Sequence, residues 1–398
     1  MTPGGPVTAR VGLNLLWLVP GVVGGTEEAT VELLSALADD QPGDIEWRLY
    51  ALESFAAAHP DLAARFPTRL LALRGRLKPL RVLAEGTWLA RATRRDGVDL
   101  VHHLGGTIPA RSHAPAIVTV HDLQPFDLPE NFHPVKRAYL HRMVPRTVRR
   151  SRLVLVHSEF VRRSVLERFD VDESHVRVIP AGVRPLPAPQ VTADELRERY
   201  ELPAHWFIFP AITYPHKNHV TLVRAFARVA AERDDVALVL TGRAAGAESL
   251  VQHEVARLGL TDRVRRTGRV PRRDLLGLVA GSDALAFPSR YEGFGLPVLE
   301  AMSLGTPVIA AAATALPEVV GEAGRLVDPD DLDGWSAAML EGLSEGERDR
   351  WAAAGRVRAA ELSWAVAAKA TAEVHREVLS RLRAGLRAGE ESERGRQR

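Results

Sequence analysis

The chain has 398 residues, of which 46% are hydrophobic and 26% charged, with a formal net charge of +2 and no cysteine. That length and balance describe a globular chain of two or three cores, with no apolar run of about 18 residues to span a membrane. Lack of cysteine excludes disulfides, thiolate metal sites and a cysteine nucleophile and points to a cytoplasmic, reducing compartment, while so small a positive surplus is no footprint for nucleic acid.

In chain order, the apolar run 11–19 carries Asn14 and leads into Pro20-Gly21 and Gly24-Gly25. It reads as a first strand and a glycine turn rather than a signal peptide. Further strands are expected at 45–52, 98–104, 116–121, 153–157 and 176–180. The second half repeats the pattern with strands at 207–212, 236–241, 264–267, 284–288, 307–311 and 325–327. Short apolar runs between longer helical stretches are what strands buried on both faces look like. Each half is therefore expected to be α/β, a doubly wound parallel sheet covered by helices.

The expected domains are 1–185 and 190–362, joined by RPLPAPQ at 184–190, where three prolines stiffen an extended linker. Over 363–388, Trp364, Ala367, Thr371, Val374, Val378 and Leu382 recur at helical spacing behind Ser363 as N-cap. An apolar stripe of that kind needs a partner surface. The polar tail 389–398 is expected to be disordered.

The strongest local signal is the block 288–300, PSRYEGFGLPVLE. A strand ends, a glycine loop follows, and Pro297 suits the first turn of a helix that stops before Gly305. The loop amides of Phe294, Gly295 and Leu296 then meet the positive end of a helix dipole, which suits an anion. Glu292 and Glu300 frame that loop. Carboxylates beside an anion site make sense when they accept from paired hydroxyls, and phosphate plus sugar hydroxyls describes a nucleotide sugar.

Gly24-Gly25 form a second such turn, with Glu27 and Glu28 complementing the dipole of the helix that follows. Lys217 follows a strand in a chain that has four Lys against 48 Arg, so a phosphate-binding point charge and an ordinary surface lysine are both consistent with it. His121 closes the strand 116–121 at the carboxyl edge, placed either to bond a substrate hydroxyl or to act as a base; His102-His103 ends the neighbouring strand, suited to the acceptor side. The acid pairs Asp170/Asp172 and Asp328/Asp330 read as turn and cap residues, so no metal site is expected. Between 131 and 168, ten Lys or Arg stand against two acids, Glu159 and Glu167. This is a solvated helical face or a patch for an anionic acceptor or acidic lipid.

Taken together, GGTEE (24–28), HDLQPFDLP (121–129), SEF (158–160), PAGV (180–183), PHKN (215–218), TG (241–242), EGFGLPVLEAMSLGTPVIA (292–310) and LPEVVGEAG (316–324) resemble the retaining glycosyltransferases of family 4. The resemblance spans nearly the whole chain, and 292–310 is its most specific part. It implies the GT-B fold: two Rossmann-like domains facing across a cleft, the last helix crossing back to the first domain. It implies His121, Glu292 and Lys217 as catalytic residues. It also implies a donor site of Gly24, Gly25, Arg243, Val270, Gly293, Phe294, Gly295, Leu296 and Glu300, with the base near Arg269-Val270. No cofactor or metal is expected, only a nucleotide-sugar co-substrate.

The sequence departs from the family at His216 and Ala211, where many members carry Arg immediately before, or six residues before, the phosphate-binding lysine. The HKNH form looks closest to members using GDP-mannose; a UDP-sugar donor is the first alternative. A nucleotide-sugar 2-epimerase, a phosphorylase or a non-catalytic sugar-nucleotide-binding subunit are the others. The matched motifs supply no carboxylate for a covalent intermediate, so front-face attack is expected, with the departing phosphate taking the acceptor's proton. A peripheral place on the inner face of the membrane is consistent with the basic segment.

Overall fold

The computed structural model describes residues 9–396 except 23, 41, 42, 74, 76, 77, 113 and 187–189, with side chains described as far as residue 385. It divides into two compact units, Met1–Pro180 with Trp364–Arg398, and Ala181–Ser363.

Unit 1 holds seven strands: β1 (Ala9–Asn14), β2 (Ile45–Leu52), β3 (Thr68–Leu71), β4 (Leu100–His103), β5 (Ala116–Thr119), β6 (Leu153–Val156) and β7 (Val176–Val178). Their order is β3-β2-β1-β4-β5-β6-β7, and all neighbours are parallel. Because helices cover both faces, β4, β5 and β6 are buried at every residue, which is why they read as unbroken apolar runs. The order reverses between β1 and β4, and that switch point is where the loops after the two strands part.

Two elements differ from the sequence expectation. β1 stops at Asn14 although the apolar run continues to Val19, because the Asn14 Oδ1 accepts from the Leu16 amide and turns the chain. β3 was not expected at all. It is an edge strand of four residues, with Leu70 42% exposed, so it carries neither the length nor the apolarity of a central strand.

The closing helix, Trp364–Arg396, lies in unit 1 and rests on the helix Gly25–Asp39. The expected stripe is its docking face: Trp364, Ala367, Thr371, Val374 and Val378 are buried. The position 388/389, expected to end it, falls inside the helix, among residues whose side chains lie outside the described set; residues 397 and 398 of the tail lie outside it altogether. His375 adds a polar anchor to this face. Trp47 Nε1 donates to His375 Nδ1 at 3.1 Å, His375 Nε2 contacts His102 Nδ1 at 3.2 Å, and His102 Nε2 contacts Thr119 Oγ1 at 2.8 Å. An indole only donates, so His375 must accept on Nδ1 and carry its proton on Nε2, and His102 follows the same tautomer.

Unit 2 holds β8 (His205–Pro210), β9 (Val236–Thr241), β10 (Val264–Gly268), β11 (Ala284–Phe287), β12 (Val308–Ala311) and β13 (Arg325–Val327) in the order β10-β9-β8-β11-β12-β13, again all parallel. Its switch point lies between β8 and β11. Unit 2 begins ahead of the prolines at 184–190, since Val183 N donates to Leu362 O at 2.9 Å and bridges to Ser363. Residues 187–189 of that linker lie outside the described set.

Candidate active site

The loops leaving β8 and β11 diverge at the switch point of unit 2, and they bring Lys217 and Glu292 together. Lys217 ends a 3-10 turn, Pro215–Lys217; its Nζ lies 2.5 Å from Glu292 Oε1, with the two side chains 18% and 14% exposed. Residues 75 apart in sequence thus make one half-buried ion pair. An ammonium carries three donors, so Glu292 uses only part of what Lys217 offers.

Each loop is braced from behind. Thr213 is fully buried; its hydroxyl accepts from the Ala245 amide at 2.7 Å and donates to Glu248 at 2.8 Å. Burial pushes the Glu248 carboxyl up, but hydrogen bonds from Arg266 and Thr213 outweigh it and hold the group below its ordinary range. On the other side Arg290 forks onto Asp330 at 2.7 and 2.5 Å and reaches Asn218 Oδ1 at 3.2 Å, which ties the two loops to each other. Asp330 is thereby an ion-pair partner, and the cap of the next helix is Asp331, whose Oδ1 accepts from Gly334 N. In the other acid pair, Asp170 sits left-handed after the helix Glu159–Phe169 and Asp172 Oδ1 accepts from Ser174 N at 2.8 Å.

The helix after β11 runs Leu296–Leu304, with Gly295 before it at φ 113°. Val298 and Leu299 amides bond back to Gly295 O, and Pro297 has no donor. Leu296 N, at the helix start, has no intrahelical acceptor by helix geometry. Gly293 is half-buried, and Phe294 and Gly295 are buried. Glu300 sits a turn further on, paired with Arg272 at 2.5 Å. Arg243 is exposed after β9 and its carbonyl accepts from Thr213 N at 3.3 Å; Val270 is half-buried after β10. These residues lie on the loops, or on the helices those loops lead into, at the carboxyl ends of unit 2 strands, where open parallel sheets collect ligands.

Two residues of this site were not foreseen. Thr314 accepts from Glu292 N on its Oγ1 at 3.0 Å while holding φ 53°, and it falls between the two sequence blocks 292–310 and 316–324. Arg272 is one of 48 arginines, with nothing local to set it apart, whereas Arg290 lies inside the block 288–300 and only its partners were not expected. His216 is 7% exposed; burial, reinforced by Lys217, pushes its ring down to about 4 although Glu292 opposes this. It is neutral, so it does not supply the cation expected from an arginine at that position.

In unit 1, Gly24 precedes the helix Gly25–Asp39 at φ 75°, ψ −139°, a conformation open to glycine and strained for other residues. Glu27 accepts from Gly21 N at 2.8 Å, so this carboxylate braces the glycine turn. His121 Nε2 contacts Leu104 O at 2.8 Å and its Nδ1 contacts His157 Nε2 at 3.2 Å. Burial, reinforced by His157, pushes His121 down to about 3. Of the two roles considered, a neutral hydrogen-bonding ring therefore fits and a base working near neutrality does not. His103 Nδ1 pairs with Asn14 Nδ2 at 3.0 Å across the switch point of this unit. Among the described residues no group of three His, Cys, Asp or Glu could hold a metal, and no helix is long and apolar enough to cross a membrane.

Two doubly wound parallel-sheet units in one chain, each with its loops gathered at a switch point, define a GT-B protein, and solved structures share this architecture. Sucrose-phosphate synthase from Thermosynechococcus elongatus superposes with a TM-score of 0.74 at 21% identity, covering 94% of this chain and 99% of that one. HepE of Anabaena, solved with UDP and glucose, gives 0.71 at 19% identity over 93% of this chain and all of that one. Residues 23–185 match the family model Glycosyltransferase Family 4, and residues 205–345 match Glycosyl transferases group 1. O-antigen chain mannosyltransferase B of Escherichia coli is 31% identical over 276 residues, 68% of this chain and 72% of that protein. The MMP alpha-(1->4)-mannosyltransferase of Mycolicibacterium hassiacum is 34% identical over 248 residues, covering 61% and 58%. The chain belongs to this family: it is a glycosyltransferase of group 1, family 4.

Proposed function

We propose that the chain moves a mannosyl group from GDP-mannose to an acceptor hydroxyl, with retention of anomeric configuration and without a metal. The observation that carries this is the Lys217–Glu292 pair beside the amino end of the helix Leu296–Leu304. Lys217 and the helix dipole meet the diphosphate and stabilise its charge as it leaves. Glu292 accepts from hydroxyls of the sugar being transferred, and Glu300 from the ribose. His121, neutral, bonds a donor-sugar hydroxyl. Among the described residues no other carboxylate is paired into the Lys217–Glu292 group, which suits front-face attack with the departing phosphate oxygen accepting the acceptor's proton. Mannosyltransferases among the relatives at about 30% identity support mannose as the sugar.

The test is to incubate the protein separately with GDP-mannose, UDP-glucose and UDP-N-acetylglucosamine and follow nucleotide release with and without EDTA. Release from GDP-mannose that EDTA leaves unchanged is expected, with an α product by anomeric NMR coupling. Release from a UDP-sugar alone overturns the donor, and an inverted product or a trapped glycosyl-enzyme overturns front-face retention.

We further propose that unit 1 rests on the acidic inner face of the membrane. The helix Lys78–Ala84 exposes Leu80 and Leu83, and the helix Pro134–Arg150 exposes Val135. Lys78 lies near enough to depress Lys136, after burial. Apolar side chains among like cations suit anionic headgroups.

A further inference from the structure

Four segments of unit 1 gather polar groups that the fold leaves unsatisfied. Trp17 follows β1, and its ring lies over Gly105, where a Cβ would fall 2.3 Å from the indole. Arg81 Nη1 donates to Trp17 O at 2.8 Å. Glu85 opens a π turn, Glu85–Leu89, a form that recurs at functional sites, and it interacts electrostatically with Arg81 and with Tyr139. Tyr139 in turn lies beside Thr107, two residues beyond Gly105. The group therefore bridges the loops after β1 and β4, at the switch point of this unit.

Part of its polar capacity is unused. Trp17 Nε1 and Arg81 Nε are buried without a hydrogen-bond partner. Glu85 is 6% exposed, and among the described residues none donates a hydrogen bond to its carboxyl; burial pushes it up to about 7 against the pull of Arg81. Buried polar atoms left open in this way are expected to meet a ligand or ordered water. Two N–H donors, one carboxyl acceptor and aromatic rings beside them match the vicinal hydroxyls and apolar face of a sugar ring. An anion would face the Glu85 carboxyl at low dielectric, and a cation would face Arg81.

We propose that Trp17, Arg81, Glu85 and Tyr139 form a subsite of unit 1 that binds a neutral, hydroxyl-rich acceptor glycan and selects against a phosphorylated one. The proposal rests on the chain being a glycosyltransferase and not on which donor it uses. Glu85 is a positioning residue: its carboxyl orients two hydroxyls of the acceptor with Arg81 opposite.

Titration of the full-length protein with α-1,3-mannobiose and with mannose 6-phosphate, followed by saturation-transfer NMR, tests it. Wild type binds mannobiose in the millimolar range and mannose 6-phosphate more weakly. Trp17→Phe, which removes the N–H together with part of the ring, and Glu85→Gln each weaken mannobiose about tenfold, the scale of one or two buried hydrogen bonds. Glu85→Gln also narrows the gap between the neutral and phosphorylated sugars, which loss of packing alone would not do. Circular dichroism establishes that each variant is folded, and Tyr139→Phe stands in for any that is not. Absence of mannobiose binding, unchanged affinity in the folded variants, or tighter binding of mannose 6-phosphate by wild type overturns the subsite. Nucleotide release from the donor, measured on the same samples, keeps this outcome separate from the donor reading.

Discussion

His375, on the closing helix, donates from Nε2 to His102 Nδ1 of β4 over 3.2 Å, and both rings are buried and neutral. Trp47, whose indole can only donate, fixes the direction of that bond, and the Thr119 hydroxyl accepts at the other end. A chain of four side chains from β2, β4, β5 and the last helix thus depends on neither imidazole taking a second proton.

That dependence should make unit 1 acid-labile. Burial holds His103, His121 and His375 down to about 3, and His102 well below its ordinary value of 6.5. A depressed histidine leaves stability intact above about pH 6.5 and loses it as pH falls towards 3, because only the unfolded chain takes up the proton. Each contributes up to ~1.4 kcal/mol per pH unit. Urea unfolding at pH 7.5 and at pH 5 should therefore differ by several kcal/mol, with a loss of less than about 1 kcal/mol contradicting the buried neutral set.

Removing one ring should release the helix. His375→Ala leaves the Trp47 N–H and His102 unsatisfied and opens a cavity, a cost of about 3 kcal/mol. Hydrogen exchange should then rise along residues 364–385 before it rises in β8 to β13. Exchange that rises evenly over both units would contradict the docking role of the ring.

The Lys217–Glu292 pair separates stability from catalysis. Either Lys217→Met or Glu292→Gln leaves a half-buried charge uncompensated, at about 1–3 kcal/mol, and the double variant should recover most of it. Activity should not recover: loss of Lys217 is expected to lower kcat about 100- to 1000-fold, the range for removing one stabiliser of developing charge. A double variant with restored turnover would remove both residues from the reaction.

Gly24 offers a backbone test. Nothing lies within 4 Å of a Cβ built there, so Gly24→Ala meets only the cost of φ 75°, about 1–2 kcal/mol. If the turn carries a donor phosphate, KM for the donor should rise with little change in melting temperature beyond that cost. An unchanged KM would mean the turn serves the fold alone.

Membrane contact is testable by co-sedimentation with vesicles containing acidic phosphatidylserine and with neutral ones, at two salt concentrations. Binding should need the acidic lipid and fall with salt, and Leu80→Ser with Leu83→Ser should weaken it further. Binding equal on neutral vesicles, or none, contradicts it.

Much of this molecule was legible from one chain of residues, and the reasons are local. Central strands announce themselves because both faces are buried, so β5, β6, β9 and β11 appear as apolar runs within a residue or two of their ends. The edge strand β3 does not, since two of its four residues, Thr68 and Arg69, are polar. The glycine loop before the helix Leu296–Leu304 was readable because backbone geometry at Gly295 admits few residue types.

The pairings were not readable. Lys217 finding Glu292, Arg290 finding Asp330 and Asn218, and His375 finding His102 join residues 40 to 273 positions apart. Strand order alone decides which loops meet. The sequence by itself determined the two parallel sheets, the glycine turns and the family, because those follow from periodicity and residue type at neighbouring positions. Only the tertiary structure decided that His121 is neutral, that Glu85 is buried with no donor to it among the described residues, and that Lys217 is already held by a carboxylate, because burial and charge are set by whatever the fold brings alongside.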